Sequence, residues 1–127
     1  MTKIIIPGIL TTLNEYINAE RGNRIYGAKI KREETERVVL ECYNLKGLKP
    51  SEYPLNVSFN WYCANKKSDP DNIAFAKKFI LDGLVEAGML ENDGWKQVAS
   101  LSDFFHIDKE NPRVEVLFTH IPLNRLR

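Results

Sequence analysis

One stretch constrains the fold more than any other. From Pro54 to Cys63 the residues alternate, with Leu55, Val57, Phe59 and Trp61 on one side and Asn56, Ser58, Asn60 and Tyr62 on the other. A period of two with large apolar residues on one side predicts a strand with a single buried face. A polar run, Ala64–Asn72, follows. A helix is then predicted over Asn72–Ala87, because Ile73, Ala76, Ile80, Leu84 and Ala87 share one narrow face at about 100° per residue. Gly88 is placed to cap it, since glycine enters the left-handed region at no steric cost. A strand feeding an amphipathic helix through a short loop is one half of a sheet-and-helix core.

The rest of the chain extends that unit. Lys3–Ile6 reads as a short strand stopped by Pro7-Gly8. Thr11–Tyr26, rich in Asn and Arg, reads as a surface loop. Lys29–Leu45 reads as a helix ended by Gly47 and Pro50. Its Val38, Val39 and Cys42 face inward, and Lys31, Arg32, Glu33, Glu34 and Glu36 form a solvated face. Glu91-Asn92-Asp93-Gly94 is a turn. Gln97–His106 and Val114–His120 read as strands joined into a hairpin by Asp108–Pro112. The order is β-α-β-α-β-β. It predicts an α+β (mixed α/β) fold, with one domain over residues 1–127 and a mixed sheet packed against two helices.

Composition narrows the function classes. The chain has 127 residues, 43% hydrophobic and 28% charged, which suits one ordered core rather than a disordered segment. Its 18 basic and 17 acidic residues give a formal charge of +1, unlike a protein that coats nucleic acid. A nuclease stays near neutral when metal-binding carboxylates offset phosphate-binding lysines. Cys42 and Cys63 form no CxxC pair, so no zinc ribbon or redox motif is indicated, and both are expected as reduced, half-buried thiols. The apolar run Ile4–Ile6 is too short for a signal peptide or a membrane span. A soluble, cytoplasmic protein with no membrane partner is therefore expected. His106 and His120 sit in apolar strands without a neighbouring nucleophile, and structural roles are expected for both.

The chemistry concentrates at Asp69-Pro70-Asp71-Asn72, between a strand end and a helix start. Pro70 biases Asp69 toward an extended backbone and suits the first helical position. Capping explains the run equally well, with Asp69 as N-cap and Asp71 favoured by the helix dipole. The Gly and the final Glu of an EF-hand loop are missing. Along a continuous helix, Asp71, Lys78 and Asp82 fall in one sector opposite the core face. Asp71 and Asp82 are then about 16 Å apart along the axis, at about 1.5 Å per residue. Two ligands of one Mg²⁺ lie within about 4 Å of each other, with bonds of about 2.1 Å. Asp82 is therefore not a co-ligand of Asp71. It reads instead as the i,i+4 neighbour that positions Lys78, or as half of a plain surface salt bridge. A third acid must come from elsewhere, and spacing alone does not choose between Glu91 and Asp93. Phe75 and Phe79, beside the core face, read as core margin or as exposed interface aromatics.

The ordered set Asp69-Pro70-Asp71-Asn72, Lys78, Asp82-Gly83-Leu84, Ala87-Gly88 and Asp93 resembles the RusA-type Holliday junction resolvases, small crossover junction endodeoxyribonucleases often encoded by phages and prophages. The likeness covers roughly residues 67–98, and the Asn14–Tyr16 stretch agrees weakly. It implies Mg²⁺ or Mn²⁺ as cofactor and paired nicks in four-way or other branched DNA by a homodimer, with a metal-activated water as nucleophile. It also implies Asp69, Asp71 and Asp93 as catalytic metal ligands, Lys78 as the essential lysine and Asp82 in support. Lys66, Lys67, Asn72 and Lys77 would contact nucleic acid. The interval from Asp71 to Asp82 is longer here than in that pattern, which predicts a remodelled helix start and makes Lys77 an alternative to Lys78. A non-catalytic protein of the same fold that binds branched DNA is the rival expectation.

Overall fold

The computed structural model describes residues 3–122 and has the expected α+β class. The elements are β1 (Lys3–Pro7), α1 (Leu13–Gly22), α2 (Arg24–Cys42), β2 (Leu55–Cys63), α3 (Pro70–Ala74), α4 (Lys77–Glu86), β3 (Val98–Ile107) and β4 (Arg113–His120), with a single 3₁₀ turn at Lys46–Leu48. The four strands form one mixed sheet in the order β1-β4-β2-β3. β4 runs antiparallel to both β1 and β2, while β3 runs parallel to β2.

The alternation in β2 does what its pattern predicts. Leu55, Val57, Phe59 and Trp61 are buried and their alternates are half-buried. Ile4 and Ile6 of β1 and Val114, Val116 and Phe118 of β4 extend the same inner face. Val38 and Cys42 of α2 and Phe79, Ile80 and Leu84 of α4 cover it. α2 and α4 come close because Gly83 has no side chain: a Cβ there would stand 2.5 Å from Cβ of Val38. Gly88 takes φ +78, the left-handed cap expected of it, and Met89 N–H donates to the Leu84 carbonyl at 2.8 Å.

Five expectations are corrected. The first concerns the loop expected at Thr11–Tyr26, which is mostly helix. Thr12 and Glu15 form a reciprocal capping box that starts α1, and Asn23 caps α2. Second, β3 and β4 are not a hairpin, because β2 lies between them. The α3–α4 crossover returns the chain parallel to β2 on one side. β4, whose Val114, Val116 and Phe118 are buried, lies between β2 and β1. Third, the helix expected over Asn72–Ala87 is broken at Phe75-Ala76. The amides of Ala76, Lys78 and Phe79 donate to carbonyls three residues back, which tightens the turn and re-phases α4 relative to Asp71. Fourth, Glu34 is not on a solvated face. It is buried and accepts from Thr11 N–H at 2.7 Å and from Arg37 at 2.9 Å. Fifth, Phe79 is core rather than interface. Phe75 is half-buried, and the two rings pack with Tyr16 of α1. Neither cysteine is in a disulfide. Cys42 is fully buried, and burial pushes its thiol up to about 11.

Candidate functional site

Asp69 and Asp71 occupy the loop-to-helix junction that follows β2. Asp69 is extended (φ −70°, ψ 153°), as the residue before a proline must be, and stands at the N-cap of α3. Its carboxylate makes no capping hydrogen bond. Both carboxylates are exposed, and neither has a hydrogen-bond or ion-pair partner among the described residues. Capping thus explains the backbone at Asp69 but not its side chain. Asn72 is committed to the fold, since its Oδ1 accepts from Asn14 N–H at 2.8 Å and ties α1 to α3.

The two lysines of α4 part company. Lys77 is half-buried against the sheet. Its ammonium donates to Asp103 of β3 and stands 5.6 Å from the Phe59 ring centroid. Trp61 Nε1 donates to the same Asp103 at 2.8 Å. Lys78 points to solvent and pairs with Asp82 at 3.2 Å, the i,i+4 contact that the spacing predicts. Lys66 and Asp69 line one groove with Phe105, His106 and Ile107, at the end of β3, and Lys67 is exposed beside them.

Asp93 stands elsewhere. It borders one groove with Asp82, Glu86 and the α2 side chains Lys31, Arg32 and Glu36, and another with Trp95, Val98 and Leu101 at the start of β3. β3 is therefore a ruler: Asp93 lies near its first residues and Asp69 near its last. At about 3.3 Å per residue that separation is about 20 Å. Consistent with it, no group of three or more His, Cys, Asp or Glu among the described residues is placed to hold a metal ion. Glu91 is exposed in the same turn as Asp93, and its backbone N–H donates to the Tyr53 hydroxyl.

Two groups went unnoticed in the sequence. Asp103 stands opposite the buried Phe59, but β3 does not alternate and nothing in its sequence singled the residue out. Arg113 covers the Tyr62 ring at 3.8 Å and bonds both Asp108 and Glu115. His106 is exposed, stacks on Tyr62 and meets Asn60 Oδ1 at 2.9 Å. His120 stands 3.2 Å from Glu52 and 3.1 Å from the Pro54 carbonyl. No helix among the described residues is long and apolar enough to cross a membrane. No protein-family model and no curated protein matches the chain.

Proposed function

We propose that this protein is a Mg²⁺- or Mn²⁺-dependent endonuclease that nicks four-way or other branched DNA, as the resemblance to RusA-type resolvases implies. The observation that carries this reading is that the exposed carboxylates of Asp69 and Asp71, without a partner among the described residues, stand in and beside a groove that Lys66 also lines. Exposed acids are common and are solvated on their own; what supports the reading is that these two open together at one junction, with Lys66 in the groove that Asp69 lines.

The donor chemistry fits the metal. Mg²⁺ takes hard oxygen ligands and is commonly held by one or two carboxylates together with substrate phosphates and waters. Asp69 and Asp71 supply two such carboxylates. A bound metal contributes Lewis acidity and a lowered pKa for water. The chain's own residues do the rest. Lys66 and Lys67 hold neighbouring phosphates without reading sequence. Lys78, with its ammonium held by Asp82, meets the charge that grows on the phosphate or the leaving oxygen. Both lysines are in ion pairs, but Lys77 is half-buried against Asp103 whereas the Lys78 side chain is 59% exposed, which favours Lys78 for this role. Asp93 serves as a third ligand only where a second copy brings it to the pair, so the reading includes a homodimer. A twofold dimer also sets two sites symmetrically across a junction, as paired nicking requires.

The test is cleavage of a synthetic four-way junction with Mg²⁺, beside the linear duplex and beside Asp71→Asn. Symmetric nicks that vanish in the variant support the reading. Tight junction binding that is unchanged by EDTA, without nicks, makes the protein a non-catalytic binder of branched DNA. Neither cleavage nor binding sinks both.

A further inference from the structure

The groove that Asp69 and Lys66 line at the end of β3 also has an apolar side. Phe105 and Ile107 lie opposite Trp61 and Cys63 in the parallel pairing, and so share the face that α2 and α4 cover elsewhere. They are nevertheless 39% and 47% exposed. With the half-buried Cys63 and Ile73 they line an open groove of about 250 Å³ beside Asp69. Apolar side chains on the core side of the sheet are thus left uncovered next to one of the two open acids.

Polar groups share the same lining. Asn65 Oδ1 accepts from Lys67 N–H at 3.0 Å, and the amide Nδ2 of Asn65 has no partner among the described residues. The Ser68 hydroxyl has none either. His106 meets Asn60 through Nε2, which leaves Nδ1 open. Lys66 is exposed and in no ion pair among the described residues. An aromatic and aliphatic wall, a few open donors and acceptors, and one cation match the parts of a nucleotide: the faces of the base, its edge and its phosphate. An apolar peptide side chain would use the wall and leave the cation idle. A free phosphate would use the cation and leave the wall bare.

We infer that this groove takes one nucleobase, drawn out of the helical stack next to the phosphate that is cut, with the base against Phe105 and Ile107. The inference rests on the endonuclease reading for the place of the phosphate, and on the groove itself for the base. It supplies that reading with a physical reason to prefer branched DNA. Drawing out a base costs its stacking and pairing, and the cost is lowest where the base is already unpaired or weakly paired, as at a branch point. In a linear duplex every base is stacked and paired, so the groove stays empty and the adjoining phosphate is not held at the acids.

The test places 2-aminopurine, a base analogue that brightens when it leaves the stack, at each position beside the branch point of a synthetic four-way junction in turn. Fluorescence is read with Ca²⁺ in place of Mg²⁺, so that the acids can hold a metal while the DNA stays uncut. Nicking is read separately with Mg²⁺ on the unlabelled junction. A several-fold rise on protein binding is expected at one position beside the branch point, with little rise in the linear duplex. Phe105→Ala should abolish the rise and lower nicking about five- to a hundredfold, the scale of one base stacked on an aromatic ring. Ile107→Ser, at a half-exposed position, should cause both losses too, which guards against a folding defect in Phe105→Ala. No rise at any position overturns the inference, and so does a rise that both substitutions leave intact; nicking by the parent chain then still upholds the endonuclease reading. A rise that both substitutions abolish, in a protein that nicks nothing, keeps the base in the groove and sinks the endonuclease reading.

Discussion

The protein treats its acids in two ways. Glu34 is buried and bonded to Thr11 N–H and Arg37, whose guanidinium also reaches the carbonyls of Pro7 and Ile9. Glu115 meets both Arg113 and Lys3. The carboxylates of Asp69 and Asp71, by contrast, meet no partner among the described residues. The first pair belongs to the fold, because removing either acid strands a donor that the structure has placed for it. The second pair contributes little to the fold beyond the favourable place of Asp71 in the first helical turn, and both carboxylates are open to a ligand from outside the chain. Stability and activity should therefore respond to the two pairs in opposite ways.

The largest effect expected is on activity. Asp71→Asn should lower junction cleavage at least about a hundredfold, since the lost metal contribution is several kcal/mol in the transition state. Its unfolding free energy should stay within about 0.5 kcal/mol of the parent, as for a surface change without partners. A denaturant melt beside the cleavage assay checks both. A large loss of stability would place Asp71 with the acids of the fold.

Glu34→Ala should show the reverse. It leaves Arg37 and the Thr11 amide without their acceptor, at a cost of about 2–4 kcal/mol. Chemical denaturation reads this as a lower midpoint with an unchanged slope. Cleavage by the fraction that remains folded should be near normal. If the midpoint does not move, the Glu34 contacts contribute nothing net and the contrast fails on its structural side.

How far this contrast was legible in the sequence depended on whether the signal was local. β2 and β4 could be read from alternation alone, and the Gly88 cap from one residue. The Thr12–Glu15 capping box was equally local and could have been read, but the polar residues around it suggested a loop. Glu34 was not legible, because its partners lie on α2 itself and on a loop more than twenty residues earlier. A remodelled helix start was legible from the long Asp71-to-Asp82 interval, but the place of the break at Phe75-Ala76 was not, because Phe75 and Phe79 pack against Tyr16, a contact between distant segments. Strand order was the least legible of all. β3 and β4 are neighbours in sequence, and only the burial of Val114, Val116 and Phe118, against the exposed apolar residues of β3, tells which of them sits inside the sheet. At the site, residue types and spacing brought out Asp69, Asp71, Lys78 and Asp82. They did not reveal that one chain holds Asp93 about 20 Å away, at the far end of β3.

A smaller effect should appear in acid. The hydrogen bond from Arg113, with help from Lys3, holds the Glu115 carboxyl below the usual carboxylate range. A group with a depressed folded pKa contributes stability above its unfolded pKa and loses it as pH falls through the folded value. Unfolding midpoints of the parent should therefore drop on the acid side of the ordinary carboxylate range, and Glu115→Gln should flatten that drop while changing little else in the profile. An identical limb in parent and Glu115→Gln would remove Glu115 from the acids that support the fold.

The smallest effect is also the most informative, because Asp82 belongs to neither class. It has a partner, Lys78, but that ion pair is on the surface, with the lysine side chain 59% exposed. A pair of this kind contributes about 0.3–0.5 kcal/mol to stability. Asp82→Asn should therefore melt almost like the parent. If Asp82 holds the ammonium where charge grows on the phosphate, the variant should still turn over several-fold more slowly, with little change in junction affinity. Lys78→Ala should be slower still, and combining the two changes should add nothing to Lys78→Ala, because Asp82 acts through that lysine. An additive double variant would show Asp82 working independently of Lys78, in the groove that it shares with Asp93.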